Sequence, residues 1–190
     1  MKAESARLFV ALELPAETRA TLATWAASCV TGIDGLRVLD PVAMHLTLCF
    51  LGWRPLAEVE AVGAVCRRLG DERSICLSLG SVLWLPRRRP GVVAIGLGGA
   101  DDDTGRLAAL QSRLARELVA LGVYEPERRP FLAHVTVARV RRSARVRAVD
   151  LPVPEPQSFA VTTLTLFRSF PGSGGSRYEP LVTVPLGAAS

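Results

Sequence analysis

The chain has two histidines, and both open the same short pattern: His45-Leu46-Thr47-Leu48 and His134-Val135-Thr136-Val137. With 11 threonines in 190 residues, chance would set a threonine two places after both histidines in roughly 0.3 per cent of such chains. Each pattern lies in an apolar, β-prone run, 46–51 and 135–140. A strand sends residues i and i+2 to the same face, so each imidazole projects beside a hydroxyl. Two such strands meeting across a cleft would bring together two groups that exchange protons near neutral pH and two short hydrogen-bond donors. That set suits acid–base chemistry on an oxyanion.

Three chemistries compete for these residues. A metal site needs a third ligand, yet neither pattern has a histidine or carboxylate in strand register; strict alternation makes Thr47 and Cys49, then Thr136 and Ala138, the face-sharing neighbours. A Cys49 nucleophile would share the face of Thr47 but has no orienting acid nearby in sequence. Paired imidazoles acting on a phosphodiester need neither. One takes the proton of the attacking oxygen, the other protonates the leaving oxygen, and the hydroxyls hold the non-bridging oxygens. Simple strand packing, with each histidine satisfied and each threonine a β-former, is the structural alternative.

Composition limits what the chain can be. It is 49% hydrophobic and 22% charged, which is globular and excludes disorder. The net charge of +5 comes almost wholly from arginine, since Lys2 is the single lysine. Arginine favours bidentate contact with phosphate, so the charge suits an anionic partner such as RNA, and equally a plain solvated basic surface. The four cysteines, Cys29, Cys49, Cys66 and Cys76, show no C-x-x-C pairing and read as free thiols of a reducing compartment. No apolar run reaches the length of a membrane span and none resembles a leader. These features predict a cytoplasmic protein with no membrane association.

The histidine strands must be positioned by the rest of the chain. Residues 7–12 read as a strand stopped by Pro15, followed by a helix over 16–29. Asp40-Pro41 blocks helix just before the first histidine strand, which is expected to stop at Gly52. Apolar residues at Val59, Val62, Val65, Cys66 and Leu69 predict a second helix over 56–69. Residues 75–85 and 92–97 read as strands on either side of the basic run Arg87-Arg88-Arg89. Gly96-Leu97-Gly98-Gly99 is expected to be a loop; it lacks the third glycine of a dinucleotide-binding turn, Asp101 standing there. Thr104 is the expected cap of a helix through Leu107, Leu110, Leu114, Leu118 and Leu121, ending at Gly122. The second histidine strand spans 131–140, followed by four arginines in 141–147 and the stiff Pro152, Pro154, Pro156 segment. Strands over 159–167 and 178–184 close the chain. The order βαβαββαβββ, with histidine strands 89 residues apart, suggests two related α+β halves, each carrying one pattern.

In this framing the sequence resembles the 2H phosphoesterases, specifically the LigT-like RNA 2',3'-cyclic phosphodiesterases, also described as RNA 2'-5' ligases. The resemblance runs through Arg7-Leu8-Phe9-Val10-Ala11-Leu12, His45-Leu46-Thr47-Leu48 with Phe50-Leu51-Gly52, and Arg129-Pro130-Phe131 leading to His134-Val135-Thr136-Val137-Ala138-Arg139. It continues in Leu166-Phe167-Arg168-Ser169 and Gly175-Ser176-Arg177-Tyr178. Ala133 departs from the proline that many members carry before the second histidine. The resemblance implies an α+β, bilobal 2H phosphoesterase fold over 1–190: two pseudo-symmetric lobes, antiparallel sheets facing a central cleft and helices outside. It implies hydrolysis of terminal 2',3'-cyclic phosphates on RNA to 2'-phosphates by a monomer, with no cofactor and no metal. Reversible 2'-5' ligation is a second activity it suggests. His45 would be the proton donor and His134 the proton acceptor, although the sequence alone does not orient the pair. Thr47, Thr136 and Arg139 would bind the phosphate; strict alternation, however, sends Arg139 to the face opposite His134. Two other readings stay open: a module that binds RNA or nucleotide 2'-phosphates without turnover, and a 2H enzyme for another small cyclic phosphate.

Overall fold

A computed structural model describes residues 4–172 and 175–187. Its elements are β1 (Ser5–Glu13), α1 (Ala16–Cys29), β2 (Leu36–Val38), β3 (His45–Pro55), α2 (Val59–Arg67), β4 (Ile75–Leu85), β5 (Val92–Gly98), α3 (Asp101–Ala120), β6 (His134–Val140), β7 (Ser158–Val161), β8 (Thr163–Phe170) and β9 (Arg177–Pro185). Among the described residues the strands form one antiparallel sheet in the order β7-β4-β5-β6-β3-β1-β8-β9, with β2 beside β6. It divides naturally into two four-stranded halves, β3-β1-β8-β9 and β6-β5-β4-β7. The histidine strands β3 and β6 are the innermost of each half. They pair through a single rung, Leu46 with Val135. β2 takes the rest of that edge of β6, pairing Leu36, Arg37 and Val38 with Val140, Arg139 and Ala138.

One face of the sheet is closed by the helices. α1 packs against β6, α3 against β3 and β4, and α2 against β8 and β9. The leucine spacing that predicts α3 is the stripe it buries: Leu107, Leu110, Leu114 and Leu118 are in the core, whereas Leu121 lies past the helix end and is exposed. Asp101, Asp102 and Asp103 fill its first turn, opposing the positive end of the helix dipole. Gly122 ends it with φ +74°, a left-handed conformation that favours glycine.

Several local expectations are corrected. α3 begins three residues before Thr104, so that side chain lies within the first turn and caps nothing as N-cap. β5 runs through Gly98, which makes most of the Gly96–Gly99 stretch strand. β3 continues past Gly52 to Pro55, because Gly52 at φ +71° absorbs an irregularity without ending the ladder. α2 is shorter than predicted and is preceded by a 3₁₀ turn, Leu56–Glu58. The 159–167 segment is two strands broken at Thr162. β6 starts at His134 and not at Phe131, since Pro130 holds the chain out of register until the Ala133 carbonyl accepts from Leu97 N–H. The proline-rich segment is pinned by two indoles, Trp25 Nε1 donating to the Pro152 carbonyl and Trp84 Nε1 to the Val149 carbonyl.

Candidate active site

The single rung between β3 and β6 sets the site. In an antiparallel pair opposed residues share a face, and the Leu46–Val135 rung points its two side chains into the core, where both are fully buried. Extending the register one residue each way sets His45 across from Thr136 and Thr47 across from His134. All four then project from the face opposite the core, and all four are partly exposed. The two patterns are thus related by a local two-fold axis through the rung.

At the last residue of each pattern the strand carries a β-bulge. In the β1–β3 ladder Ala11 pairs with Thr47 and Val10 with Cys49, so Leu48 is the extra residue. In the β5–β6 ladder Ala94 pairs with Thr136 and Val93 with Ala138, so Val137 is the extra residue. A bulge inserts one residue and reverses the alternation beyond it. Leu48 and Cys49 are consecutive buried residues, as are Val137 and Ala138. Phe50 and Arg139, sixth in each pattern, therefore return to the histidine face and are exposed. The bulge removes the conflict that strict alternation creates for Arg139. It also takes Cys49 away from Thr47: the thiol is buried near Gln111 and Tyr124, and burial pushes it up to about 12. A thiol so protonated and enclosed is not a nucleophile at neutral pH.

A cavity of about 260 Å³ opens on this face, lined by Arg7, Phe9, His45, Thr47, Phe50, Arg139, Ser169, Ser176 and Tyr178. A second of about 210 Å³ shares Arg139, Ser176 and Tyr178 and adds Arg37 and Arg177. His134 and Thr136 do not line the larger cavity; they stand across the rung from its His45 and Thr47. Arg7 and Arg139 form no ion pair among the described residues, where the salt bridges employ Arg54, Arg67, Arg68, Arg106 and Arg113. The cavity wall is therefore cationic and suited to an anion. No group of three or more His, Cys, Asp or Glu among the described residues is placed to hold a metal ion.

The two imidazoles have different surroundings. The His45 ring stacks on Phe9 at 4.8 Å and meets Tyr178 edge-on at 5.1 Å, with Phe167 behind at 6.1 Å. Burial in this cage pushes its pKa down to about 4, helped by the nearby positive charges of Arg139 and His134 and opposed by a hydrogen bond with the Ala43 backbone. His134 Nδ1 lies 2.7 Å from the Leu132 carbonyl. Each ring is thus held by the backbone of the residue two places before it. A carbonyl accepts from N–H, so Nδ1 of His134 carries a proton and Nε2 is left for chemistry. Phe9, Phe167 and Tyr178 escape the sequence as site residues because an aromatic in a strand reads as core; only the pairing of β1 with β3 and β8, and of β8 with β9, brings them to His45.

A family model described as the 2'-5' RNA ligase superfamily matches residues 9–169. The RNA 2',3'-cyclic phosphodiesterase of Escherichia coli (strain K12) is 32% identical over 190 residues, covering 94% of this chain and 95% of that protein. A crystal structure of a Thermus thermophilus protein superposes with TM-score 0.81 at 28% identity, covering 95% of this chain and 97% of the other. Escherichia coli LigT complexed with 3'-AMP gives TM-score 0.77 at 31% identity, covering 96% and 99%. The chain belongs to the 2'-5' RNA ligase superfamily. It is an enzyme, and its fold is the α+β fold of LigT.

Proposed function

We propose that this chain is a phosphodiesterase that opens 2',3'-cyclic phosphates at RNA ends to 2'-phosphates, using His45 and His134 as a metal-independent acid–base pair. The observation that carries the reading is the pairing of the two patterns about one rung, with Arg139 returned by its bulge to the same cationic face. In the reaction one imidazole takes a proton from water as its oxygen attacks phosphorus. The bond from phosphorus to O3' breaks, and the other imidazole delivers a proton to O3'. Thr47, Thr136 and Arg139 hold the non-bridging oxygens. If the 5'-hydroxyl of a second RNA replaces water, the same steps form a 2'-5' linkage, so ligation belongs to the same proposal. Similarity to the named Escherichia coli phosphodiesterase supports the substrate class.

His45 is the proton donor and His134 the acceptor in this reading. Burial lowers the His45 pKa to about 4, so donation from His45 requires the bound anionic phosphate to hold the charged imidazolium against that burial. The depressed pKa of His45 also favours the reverse assignment, in which neutral His45 is the base. A 3'-thio cyclic phosphate separates the two, because a thiolate leaves without a proton: the alanine variant of the true acid regains turnover on it and the variant of the base does not. The function itself is tested by incubating the protein with 2',3'-cyclic nucleotides and cyclic-phosphate RNA and reading the position of the product phosphate. Product phosphate on the 2'-oxygen is the expected result; binding without turnover would reduce the chain to a 2'-phosphate binding module. We also propose that the chain acts as one bilobal, monomeric, cytoplasmic unit. Its free cysteines support the compartment, and no described helix is long and apolar enough to cross a membrane.

A further inference from the structure

Of the three tryptophans, Trp25 and Trp84 are 8% and 9% exposed, and both indoles are hydrogen-bonded; Trp53 is 64% exposed. Among the described residues its indole makes no hydrogen bond. Its position is set by a second irregularity in β3: Phe9 pairs with Phe50, Leu8 with Gly52 and Arg7 with Trp53, which leaves Leu51 as the extra residue. Leu51 turns into the core. Trp53, which simple alternation from Phe50 would send to the core face, is instead opposite Arg7 and shares its face. Arg7 lines the active-site cavity and lays its guanidinium 4.6 Å from the centroid of the Phe50 ring, itself a cavity wall and 41% exposed. Phe50, Arg7 and Trp53 thus form a continuous aromatic and cationic strip that leaves the cavity along β3, away from His45.

We infer that Trp53 is a stacking site for a nucleobase that precedes the terminal nucleotide of the RNA, a subsite that rests on the cyclic-phosphate reading of the cavity. The strip offers what a single strand requires: flat π-surfaces for bases and guanidinium charge for the backbone, without the hydrogen-bond pattern that would read sequence. Its direction defines the occupant. Trp53 lies eight residues beyond His45 on β3, roughly 20–25 Å along the strand once the two bulges are discounted. A terminal nucleotide anchored by its phosphate at His45 does not span that distance, whereas the nucleotides before it do. The strip therefore distinguishes an RNA end from a cyclic mononucleotide.

The test compares wild type, Trp53→Ala and Trp53→Phe on a cyclic mononucleotide and on tetranucleotides ending in 2',3'-cyclic phosphate. Trp53→Ala is expected to raise KM for the tetranucleotide about tenfold, with kcat and all mononucleotide kinetics unchanged, and Trp53→Phe to restore most of the loss. A second readout needs no turnover. Trp53 is the one solvent-exposed indole, so a tetranucleotide ending in 2'-phosphate should quench the wild-type fluorescence, and Trp53→Ala should abolish that quench. Absence of quenching, equal loss on mono- and tetranucleotide, or unchanged tetranucleotide kinetics in Trp53→Ala would each overturn the subsite. Failure of wild type to open either the cyclic mononucleotide or the cyclic-phosphate tetranucleotide while the Trp53-dependent quench persists would sink the catalytic reading and leave the stacking site standing.

Discussion

In one half of the sheet the six residues His45-Leu46-Thr47-Leu48-Cys49-Phe50 end in an aromatic ring; in the other, His134-Val135-Thr136-Val137-Ala138-Arg139 end in a guanidinium. Burial repeats residue by residue: partly exposed, buried, partly exposed, buried, buried, exposed, apart from the final side chain's chemistry. Backbone hydrogen bonding, bulge position and histidine orientation are thus shared, and the halves differ in what surrounds the ring. The first lobe cages its histidine with Phe9, Phe167 and Tyr178; the second sets only a glycine, Gly96, across the ladder from its histidine. One scaffold repeated twice supplies symmetry of position. Its unlike neighbours supply the asymmetry that the proposed donor and acceptor require.

Removing either imidazole should have the largest effect. His45→Ala and His134→Ala are each expected to lower kcat/KM on a cyclic-phosphate substrate by at least about a hundredfold. The double variant should be little worse than the poorer single one; losses that multiply would show that the halves act independently. Thr47→Val and Thr136→Val should each cost up to about 3–4 kcal/mol of transition-state stabilisation, and by similar amounts if the two-fold relation is functional. A large loss in one and none in the other, measured as kcat/KM, would confine the oxyanion to one lobe.

The cage predicts a pH effect on stability. Folded His45 titrates at about 4 and the unfolded residue near 6.5, so between these values the unfolded state binds more protons. The burden is absent above pH 6.5 and grows as pH falls, reaching about 3 kcal/mol near pH 4. In denaturant melts wild type should lose about 3 kcal/mol relative to His45→Asn as pH falls over that range if the cage is responsible; parallel curves would contradict it. At the small end of the scale, EDTA should leave turnover unchanged, because the proposed catalysts are organic groups and the described residues offer no ligand cluster. Activity lost to chelation and restored by added metal would replace the two-imidazole comparison with a different chemistry.

The sequence revealed the repeated pattern, the histidine face and the helical stripes, because side-chain periodicity is local information. It did not reveal what depends on ladder register. Nothing in Leu48 or Val137 marks a bulge, so strict alternation put Cys49 in the site and Arg139 outside it, and both assignments reverse in the ladder. The signal was present in a weak form: two adjacent apolar residues followed by Phe50 or Arg139 break a period of two at the same place in both patterns. β2 was missed because three residues, Leu36-Arg37-Val38, hold too little pattern to register. The His45 cage was invisible for a different reason: its members come from strands far apart in sequence.

That separation has a consequence for the order in which the molecule is made. The second half of the sheet, β4 to β7, comes from one continuous stretch of chain, whereas the first half needs β8 and β9 to join strands laid down much earlier. On a ribosome, where segments emerge in turn, the half bearing His134 can assemble while His45 still lacks Phe167 and Tyr178, which are translated more than a hundred residues after it. A nascent chain interrupted before β8 would hold both histidines and both threonines and still lack the enclosure that sets the proton affinity of His45. The proton affinity of His45 is therefore set only once β8 and β9 have joined the sheet.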